Sequence, residues 1–210
     1  MTDSRLGHVA DHPDLAALEA SLPGVVLSSE RRHGCLYVTV PRKRIAEVLR
    51  CLRDDPATLY RMFSECVCVD YLDVRTGAPI LGRQDRFEIT YNLVSIFDPR
   101  TQTGTGRRIF VKVTIPEADP IVPSVTSVYA GAAFPEREIY DMFGIRFEGH
   151  PDLRRLLMSD DWIGHPQRKD YPLGGERVQF PGGTYGPAVG ERAVQHPGEG
   201  FFGKTAGEVE

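Results

Sequence analysis

Residues 134–173 read FPEREIYDMFGIRFEGHPDLRRLLMSDDWIGHPQRKDYPL, a stretch that mixes charges, turn residues and bulky apolar side chains more densely than any other. Pro135 suits the first turn of a helix, where its missing N–H has no partner to lose. Three apolar residues then follow at i, i+3 and i+4 spacing, namely Ile139, Met142 and Phe143. Gly144 can adopt the left-handed conformation that ends a helix. The pattern therefore predicts a short helix over residues 135–143.

Two Gly-His-Pro clusters, at residues 149–151 and 164–166, indicate turns beyond this helix. Between them, Asp152 can cap a helical fragment in which three leucines share one side, namely Leu153, Leu156 and Leu157. The segment thus predicts one more helical fragment between two turns. Because it places many charges beside many apolar side chains, we expect another surface to bury it.

The carboxylates of this stretch allow two interpretations. Glu138 and Asp141 share one face of the predicted helix, and such a pair could serve acid–base catalysis. However, Arg137 lies four residues before Asp141, and Arg154 and Arg155 follow in the next segment. Ion pairing is the simpler role for these charges.

The histidines and the known catalytic motifs give no stronger sign of an enzyme. His150 and His165 could bind a metal or transfer protons, whereas hydrogen bonding that holds a turn is the simpler role. The chain has no HExxH motif, no recognisable nucleophile elbow and no GxGxxG fingerprint. The sequence therefore predicts no self-sufficient active site.

Taken together, these residues resemble the signature of the 30 kDa subunit family of NADH-quinone oxidoreductase, the C subunit of respiratory complex I. The first matching set is Glu136, Arg137, Glu138, Asp141, Met142, Phe143, Gly144, Ile145, Gly149, His150, Pro151, Asp152, Leu153, Arg154 and Arg155. The second set is Asp160, Asp161, Trp162, Gly164, His165, Pro166, Arg168, Lys169, Asp170, Tyr171 and Pro172. A looser resemblance extends back to about Pro41.

The chain departs from the family pattern at three places. Phe134 and Pro135 stand where the family commonly has a tryptophan and a non-proline residue. Ser159 replaces a usual proline, and Gln167 replaces a usual leucine. These local changes call a specific contact into question and leave the family resemblance intact.

The resemblance implies a two-layer α/β sandwich that acts as a packing subunit and has no catalytic site of its own. It implies that this chain binds no flavin, iron–sulfur cluster or NADH, although the whole complex uses NADH, FMN, iron–sulfur clusters and quinone. The implied partners are chiefly the D subunit, which helps form the quinone cavity, and also the B subunit and neighbouring peripheral-arm subunits. The expected interface and structural positions are Glu136, Arg137, Glu138, Asp141, Phe143, Gly144, His150, Asp152, Arg154, Arg155, Trp162, His165, Arg168, Asp170 and Tyr171.

Two alternatives stay open at this point. The chain could be the equivalent subunit of a related assembly: a photosynthetic NDH-type complex, a ferredoxin- or F420-dependent dehydrogenase, or a membrane-bound hydrogenase. It could also be an independent α+β enzyme that uses Glu138, Asp141 and His150. The second alternative predicts activity or a bound metal in the isolated chain.

Composition excludes several other classes. A net charge of −4 with well-mixed signs argues against nucleic-acid binding. No run approaches the roughly 18–20 apolar residues that span a bilayer. The first residues, MTDSRLGHVADHPD, do not resemble a secretory signal or a transit peptide. With the resemblance, we expect a peripheral protein on the cytoplasmic side of a bacterial inner membrane that meets the membrane only through its complex.

The four cysteines predict no metal centre. Cys35, Cys51, Cys66 and Cys68 contain no CxxC pair. A structural zinc site or an iron–sulfur cluster usually needs four well-spaced ligands. We expect buried free thiols that pack as small hydrophobic groups.

The rest of the chain predicts an α+β domain. Its expected helices cover residues 14–22 and a segment that begins at Pro41, and its expected strands cover residues 25–28, 36–40, 66–74, 86–97 and 108–115. The apolar run at 66–74 indicates a central strand covered on both faces. We expect one mixed, largely antiparallel sheet with helices on one face.

We expect three segments along the chain: a core domain over residues 1–133, the signature over 134–173, and an extended tail over 174–210. The tail is rich in glycine and proline. Such a composition indicates either disorder or folding on a partner. The resemblance favours a tail that lies on neighbouring subunits.

Overall fold

The structure is a computed structural model that describes residues 12–80, 82–96 and 106–172. Its elements are α1 (Pro13–Ser21), β1 (Ser28–Arg32), β2 (Cys35–Thr39), α2 (Ile45–Asp54), β3 (Met62–Asp70), β4 (Leu72–Asp73), β5 (Ala78–Pro79), β6 (Phe87–Val94), β7 (Arg108–Ile115), β8 (Ile121–Pro123), α3 (Ala133–Phe143) and β9 (Arg146–Glu148). Short 3-10 turns lead into α2 and α3. Residues 97–105, between β6 and β7, and the predicted tail lie outside the described residues.

Five strands form one mixed sheet in the order β1-β2-β7-β6-β3. β2 and β7 run parallel, and the other neighbouring strands run antiparallel. Every second side chain of β6 and β7 is fully buried, as the alternation predicts: Phe87, Ile89, Tyr91, Leu93, Ile109, Val111, Val113 and Ile115. The strand register puts these side chains opposite one another, so they form a single apolar face.

The helices cover this apolar face. One buried cluster joins the sheet to apolar side chains of all three helices: Leu15, Leu18, Ile45, Val48, Leu49, Leu52 and Ile139. The opposite face of the sheet carries polar side chains, including Glu88, Asn92 and Lys112. The predicted fold class, an α+β two-layer sandwich with a mixed, largely antiparallel sheet and helices on one face, is confirmed.

The prediction of a central strand over residues 66–74 is wrong. The strand in this region is β3, which lies at the edge of the sheet and pairs only with β6 within it. Cys66 faces the apolar layer opposite Tyr91, but Val67 and Val69 project from the other face and are 47% and 40% exposed. The apolar run therefore covers both faces of β3, of which one is buried and the other is partly exposed. Periodicity alone cannot distinguish such an edge strand from a central strand.

The first hairpin also differs from its prediction. The strand predicted over residues 25–28 is displaced to β1, whose polar sequence SSERR gives no apolar alternation. The turn is only two residues long, His33 and Gly34, with φ values of 49° and 79°. Two positive φ values are typical of the tight turns whose twist matches a β-hairpin.

Two short strand pairs complete the fold. β4 and β5 form a small antiparallel pair, and β8 and β9 form a parallel pair that brackets α3 in sequence. In the described parts of the chain, no helix is both long and apolar enough to cross a membrane. The first of two compact units ends at Lys169. The division into residues 1–133, 134–173 and 174–210 stays a prediction.

Candidate functional site around helix α3

Helix α3 begins two residues before its prediction and ends where the sequence indicates. Ala133 is already helical because the 3-10 turn at Ala130–Ala132 runs directly into the helix. Gly144 ends α3 in the left-handed conformation, with φ of 74°, which confirms the predicted stop. The position also needs glycine for space, because a Cβ there would lie 2.5 Å from the ring of His165.

The helical fragment predicted after Asp152 is wrong. Residues 149–169, which we call the strap, contain no helix or strand. Its backbone amides at Leu156, Leu157 and Met158 donate to Oδ2 of Asp141 at 3.0, 2.7 and 2.8 Å. A side-chain acceptor therefore replaces the carbonyls of a helix, and a long-range contact overrides the local leucine spacing.

The Asp141 carboxylate is the centre of the site. Its side chain is fully buried, and its Oδ1 accepts from Nη1 of Arg155 at 2.6 Å. Burial favours the neutral acid, but the amides of the strap and the Arg155 guanidinium outweigh burial and hold the pKa of Asp141 below its ordinary value. The charge is therefore retained inside the protein with all its donors in place.

Arg155 connects Asp141 to the next turn of the strap. Its Nη2 donates to the carbonyl oxygens of Trp162 and Gly164 at 2.9 and 3.0 Å. Arg137, four residues before Asp141, is not its ion-pair partner and instead donates to the carbonyl of Arg155 at 2.9 Å. The prediction of ion pairing holds for Asp141, and of the three arginines considered its partner is Arg155, from the strap.

The strap also caps the last carbonyls of α3, which have no partners within a helix. His165 Nδ1 lies 2.9 Å from the Asp141 carbonyl, the amide of Gln167 donates to Met142, and Nε of Arg168 donates to Phe143 at 2.6 Å. A carbonyl can only accept, so the Nδ1 of His165 carries the hydrogen. Burial lowers the pKa of His165, which favours the neutral ring.

Glu136 faces the interior at the other end of α3. Its carboxyl group is fully buried and accepts from Oγ of Ser124 at 2.6 Å and from the amide of Val125 at 2.7 Å. Burial raises the pKa of Glu136 above its ordinary value despite these donors. His150 lies nearby, with Nε2 3.0 Å from the Ala133 carbonyl and Nδ1 accepting from the amide of Asp152. These contacts support the turn-holding role expected for the histidine.

The structure thus separates the predicted positions by accessibility. Four are exposed: Glu138, Asp152, Arg154 and Asp170. Nine are intermediate: Arg137, Phe143, Gly144, His150, Arg155, Trp162, His165, Arg168 and Tyr171. Two are buried: Glu136 and Asp141. Only the exposed and intermediate groups can meet a partner directly, so the buried pair shapes the surface from within.

Sequence reasoning missed a second buried ion pair that also holds the strap. Arg86 and Asp70 are both almost fully buried, and their side chains meet at 2.7 Å. The Asp70 carboxylate also accepts a hydrogen bond from the amide of Lys169 at 2.9 Å, which attaches the end of the strap to β3. A charged residue inside the apolar run of β3 is the signal that could have indicated this pair, because a buried charge needs a partner.

A groove lies between β3, α3 and the strap, with a volume of about 240 Å³. Its lining residues are Cys66, Val67, Cys68, Glu138, Ile139, Met142, Phe143, Leu157 and Gln167. Burial raises the pKa of both thiols, which keeps them protonated and unreactive. Among the described residues, no group of three or more His, Cys, Asp or Glu side chains is arranged to hold a metal ion.

A larger concavity of about 450 Å³ lies on the polar face of the sheet. Its charged side chains largely pair with one another. Arg83 contacts Glu88 at 2.7 Å, and Lys112 lies 3.4 Å from Glu30. These charges are already compensated within the chain, so the concavity offers no strong electrostatic attraction to a ligand.

Comparison with known proteins agrees with the signature. The family model described as "Respiratory-chain NADH dehydrogenase, 30 Kd subunit" matches residues 38–177. The NADH-quinone oxidoreductase C subunit of Roseiflexus castenholzii is 46% identical over 171 residues, which cover 81% of this chain and 89% of that protein. NADH-quinone oxidoreductase subunit 5 of Thermus thermophilus is 43% identical over 152 residues, which cover 72% and 69% of the two chains.

The fold also occurs in a solved membrane complex. The matching chain is part of the membrane-bound sulfane sulfur reductase, an archaeal respiratory membrane complex, with a TM-score of 0.58 and 23% identity over 76% of this chain and 84% of that chain. At this identity the likeness concerns the fold alone. The family match and the two relatives go further: the chain belongs to the 30 kDa subunit family of the respiratory-chain NADH dehydrogenase.

Proposed function

We propose that this chain is a structural subunit of the peripheral arm of an NADH-quinone oxidoreductase and contributes geometry to the complex. In this proposal the electron carriers NADH, FMN, the iron–sulfur clusters and quinone bind to other subunits. The surface made by α3 and the strap packs against neighbouring subunits, chiefly the D subunit at the quinone cavity, and the B subunit lies close by. The arm rests on the cytoplasmic side of the bacterial inner membrane.

One observation carries the proposal: several polar groups of the strap are hydrogen-bonded within the chain, whereas two of its large apolar side chains stay exposed. The amides of Leu156, Leu157 and Met158 donate to Asp141, and the Arg155 side chain donates to Asp141 and to two carbonyl oxygens of the strap. Leu157 and Ile163 remain 62% and 61% exposed. An irregular segment with internally satisfied polar groups and exposed apolar side chains is a surface prepared for a protein partner.

The internal hydrogen bonds also support binding by a preformed surface. Ordering a loop upon association reduces the affinity that its contacts can provide. Asp141 and Arg155 fix the strap before any partner arrives. A subunit whose role is geometric benefits from this rigidity, because it presents the same shape throughout assembly.

Affinity purification of the tagged chain from mildly solubilised membranes tests the proposal. We expect the homologues of subunits B and D to co-purify, together with the NADH-binding and iron–sulfur subunits. Recovery of the chain alone would contradict the proposal. Recovery with subunits of a different membrane complex would assign the chain to that assembly instead.

A charge reversal at Arg154 probes the surface itself. Its side chain is 71% exposed and, within the described residues, its ion pair is with Asp152 on the strap, so Arg154→Glu should leave the chain folded. We expect this variant to recover several-fold less of the partner subunits, with Arg50→Glu on the exposed side of α2 as the control. Equal recovery of partners by both variants would remove Arg154 from the proposed interface.

A further inference from the structure

The groove between β3, α3 and the strap contains one charged side chain, and that charge has no partner in the described parts of the chain. Glu138 is exposed at the rim. The other two carboxyl groups of α3 are buried and have partners. Glu136 accepts a hydrogen bond from Ser124, and Asp141 pairs with Arg155. Glu138 is therefore the acidic group of this helix that remains available to another molecule.

The size of the groove indicates what it can hold. Its volume of about 240 Å³ lies below the roughly 300–1,000 Å³ of small-molecule sites. Most of its lining is apolar or weakly polar, with Val67, Ile139 and Met142 on the two sides. These dimensions and this lining suit one or two apolar side chains of a protein better than a cofactor.

The walls of the groove are held in position by the chain itself. The amide of Leu157 donates to Asp141 at 2.7 Å, and the amide of Gln167 donates to the carbonyl of Met142 at 3.0 Å. Both hydrogen bonds attach the strap wall to α3. The groove is therefore preformed, as sites for the central anchor of an interface commonly are.

We infer that this groove receives a bulky apolar side chain of a neighbouring subunit, with a Lys or Arg beside it that pairs with Glu138. The inference rests on the proposed function and specifies the chemistry of the partner at one point of the interface. The apolar side chain displaces water from the groove, and the cation compensates the carboxylate at its rim. An acidic rim selects against a partner that presents a carboxylate there, because like charges in contact are unfavourable.

Site-specific photo-crosslinking in cells tests this inference. A photoreactive amino acid replaces Gln167, whose side chain is exposed at the rim, in the full-length tagged chain. Position Arg50 on α2 serves as the control. We expect position 167 to crosslink to one peptide of a co-purifying subunit of the complex, and that peptide should contain a large apolar residue close to a Lys or Arg.

Three substitutions, each introduced separately into the crosslinking chain, make the test quantitative. Glu138→Lys should lower the yield of that crosslink by about tenfold or more, and Glu138→Gln should lower it less. Leu157→Asp should lower it as well, because it places a charge in the apolar wall. Circular dichroism of each purified variant should match the wild type, since both side chains are exposed.

The results separate this inference from the function on which it rests. If the wild-type chain co-purifies with its complex but position 167 gives no crosslink, the inference is overturned and the proposed function stands. A crosslinked peptide without a basic residue, or a crosslink yield unaffected by Glu138→Lys, would likewise overturn the inference and leave the proposed function standing. If the wild-type chain does not co-purify with other subunits, both are overturned.

Discussion

The two layers of the sandwich and the strap are held together in opposite ways. In the sheet, many apolar side chains of β6 and β7 share one buried face, and each contributes a small part of the stabilisation from apolar burial. In the strap, a few polar groups converge on one buried carboxylate, Asp141. The sheet therefore tolerates the loss of single contacts better than the strap does. Stability that is concentrated in one residue can be removed by one substitution.

The difference also bears on the roles of the two regions. Apolar burial is non-directional. It favours packing of the helices on the apolar face of β6 and β7, but it does not require one defined arrangement of the contacts. Hydrogen bonds to a buried carboxylate require defined directions, so they fix the path of an irregular segment. If the strap presents a surface to another subunit, this directional control is what the interface needs.

The largest effect is expected at Asp141. Asp141→Ala removes the acceptor of Arg155 Nη1 and of three backbone amides inside the protein. Breaking a buried ion pair in this way typically lowers the free energy of unfolding by about 3–5 kcal/mol. Urea unfolding of the isolated chain measures the change. Asp152→Ala, at the exposed pair with Arg154, is the matched control and should change it by less than about 1 kcal/mol. Equal effects of the two variants would remove the distinction between the buried and the exposed carboxylate.

The second effect concerns the contact between α3 and the strap at Gly144. Both Gly144 and Gly149 have positive φ, 74° and 81°, so alanine at either position is strained by about 1–2 kcal/mol. At Gly144 the new Cβ would also meet the ring of His165 at 2.5 Å, whereas at Gly149 nothing lies within 4 Å. Gly144→Ala should therefore lower the free energy of unfolding by about 1 kcal/mol more than Gly149→Ala. This difference corresponds to the loss of the hydrogen bond between His165 and the Asp141 carbonyl. Thermal unfolding of the pair measures this difference.

A third effect is the opposite pH dependence of the two buried carboxyl groups of α3. The pKa of Glu136 is raised, so its contribution to stability is full below its ordinary value of 4.5 and is lost as the pH rises through the folded-state pKa. The pKa of Asp141 is lowered, so its contribution is present above 3.8 and is lost as the pH falls through the folded-state pKa.

Urea unfolding across the acid range distinguishes these two signs. From pH 4.5 upward, the wild type should lose stability relative to Glu136→Gln. The advantage of the wild type over Asp141→Asn should shrink only as the pH falls below 3.8. Parallel pH profiles for the wild type and both variants would show that neither carboxyl group is tuned by its surroundings.

The smallest effect is expected in the sheet. The hydroxyl group of Tyr91 is fully buried and has no hydrogen-bond partner among the described residues. Burying such a group without a partner is unfavourable, so Tyr91→Phe should change the free energy of unfolding by no more than about 1 kcal/mol, in the stabilising direction. Urea unfolding of this variant provides the measurement, and a large destabilisation would reveal a partner for the hydroxyl group.

The regular part of the fold could be predicted from the sequence because its signals are local. The alternation of Phe87, Ile89 and Tyr91 follows from the two-residue period of a strand. Gly144 marks the end of α3 through its own backbone preference. The apolar run of β3 misled the prediction because periodicity does not tell whether a strand has one neighbour or two.

The site depends on contacts that the sequence does not display. Arg155 follows Asp141 by fourteen residues, and no local rule pairs them. The spacing of Leu153, Leu156 and Leu157 is helical, yet the amides of two of these residues donate to Asp141. The resemblance to the family could identify which residues matter, whereas only the structure assigns the buried and the exposed roles among them.

Native-state hydrogen exchange of the isolated chain shows whether the Asp141 carboxylate orders the strap. We expect the amides of Leu156, Leu157 and Met158 to exchange slowly in the wild type although they lie in no helix or strand. In Asp141→Asn these three amides should exchange much faster, while those of β6 and β7 keep their protection. Fast exchange of the three amides in the wild type, or exchange rates unchanged by Asp141→Asn, would contradict the claim that the Asp141 carboxylate holds this part of the strap in place.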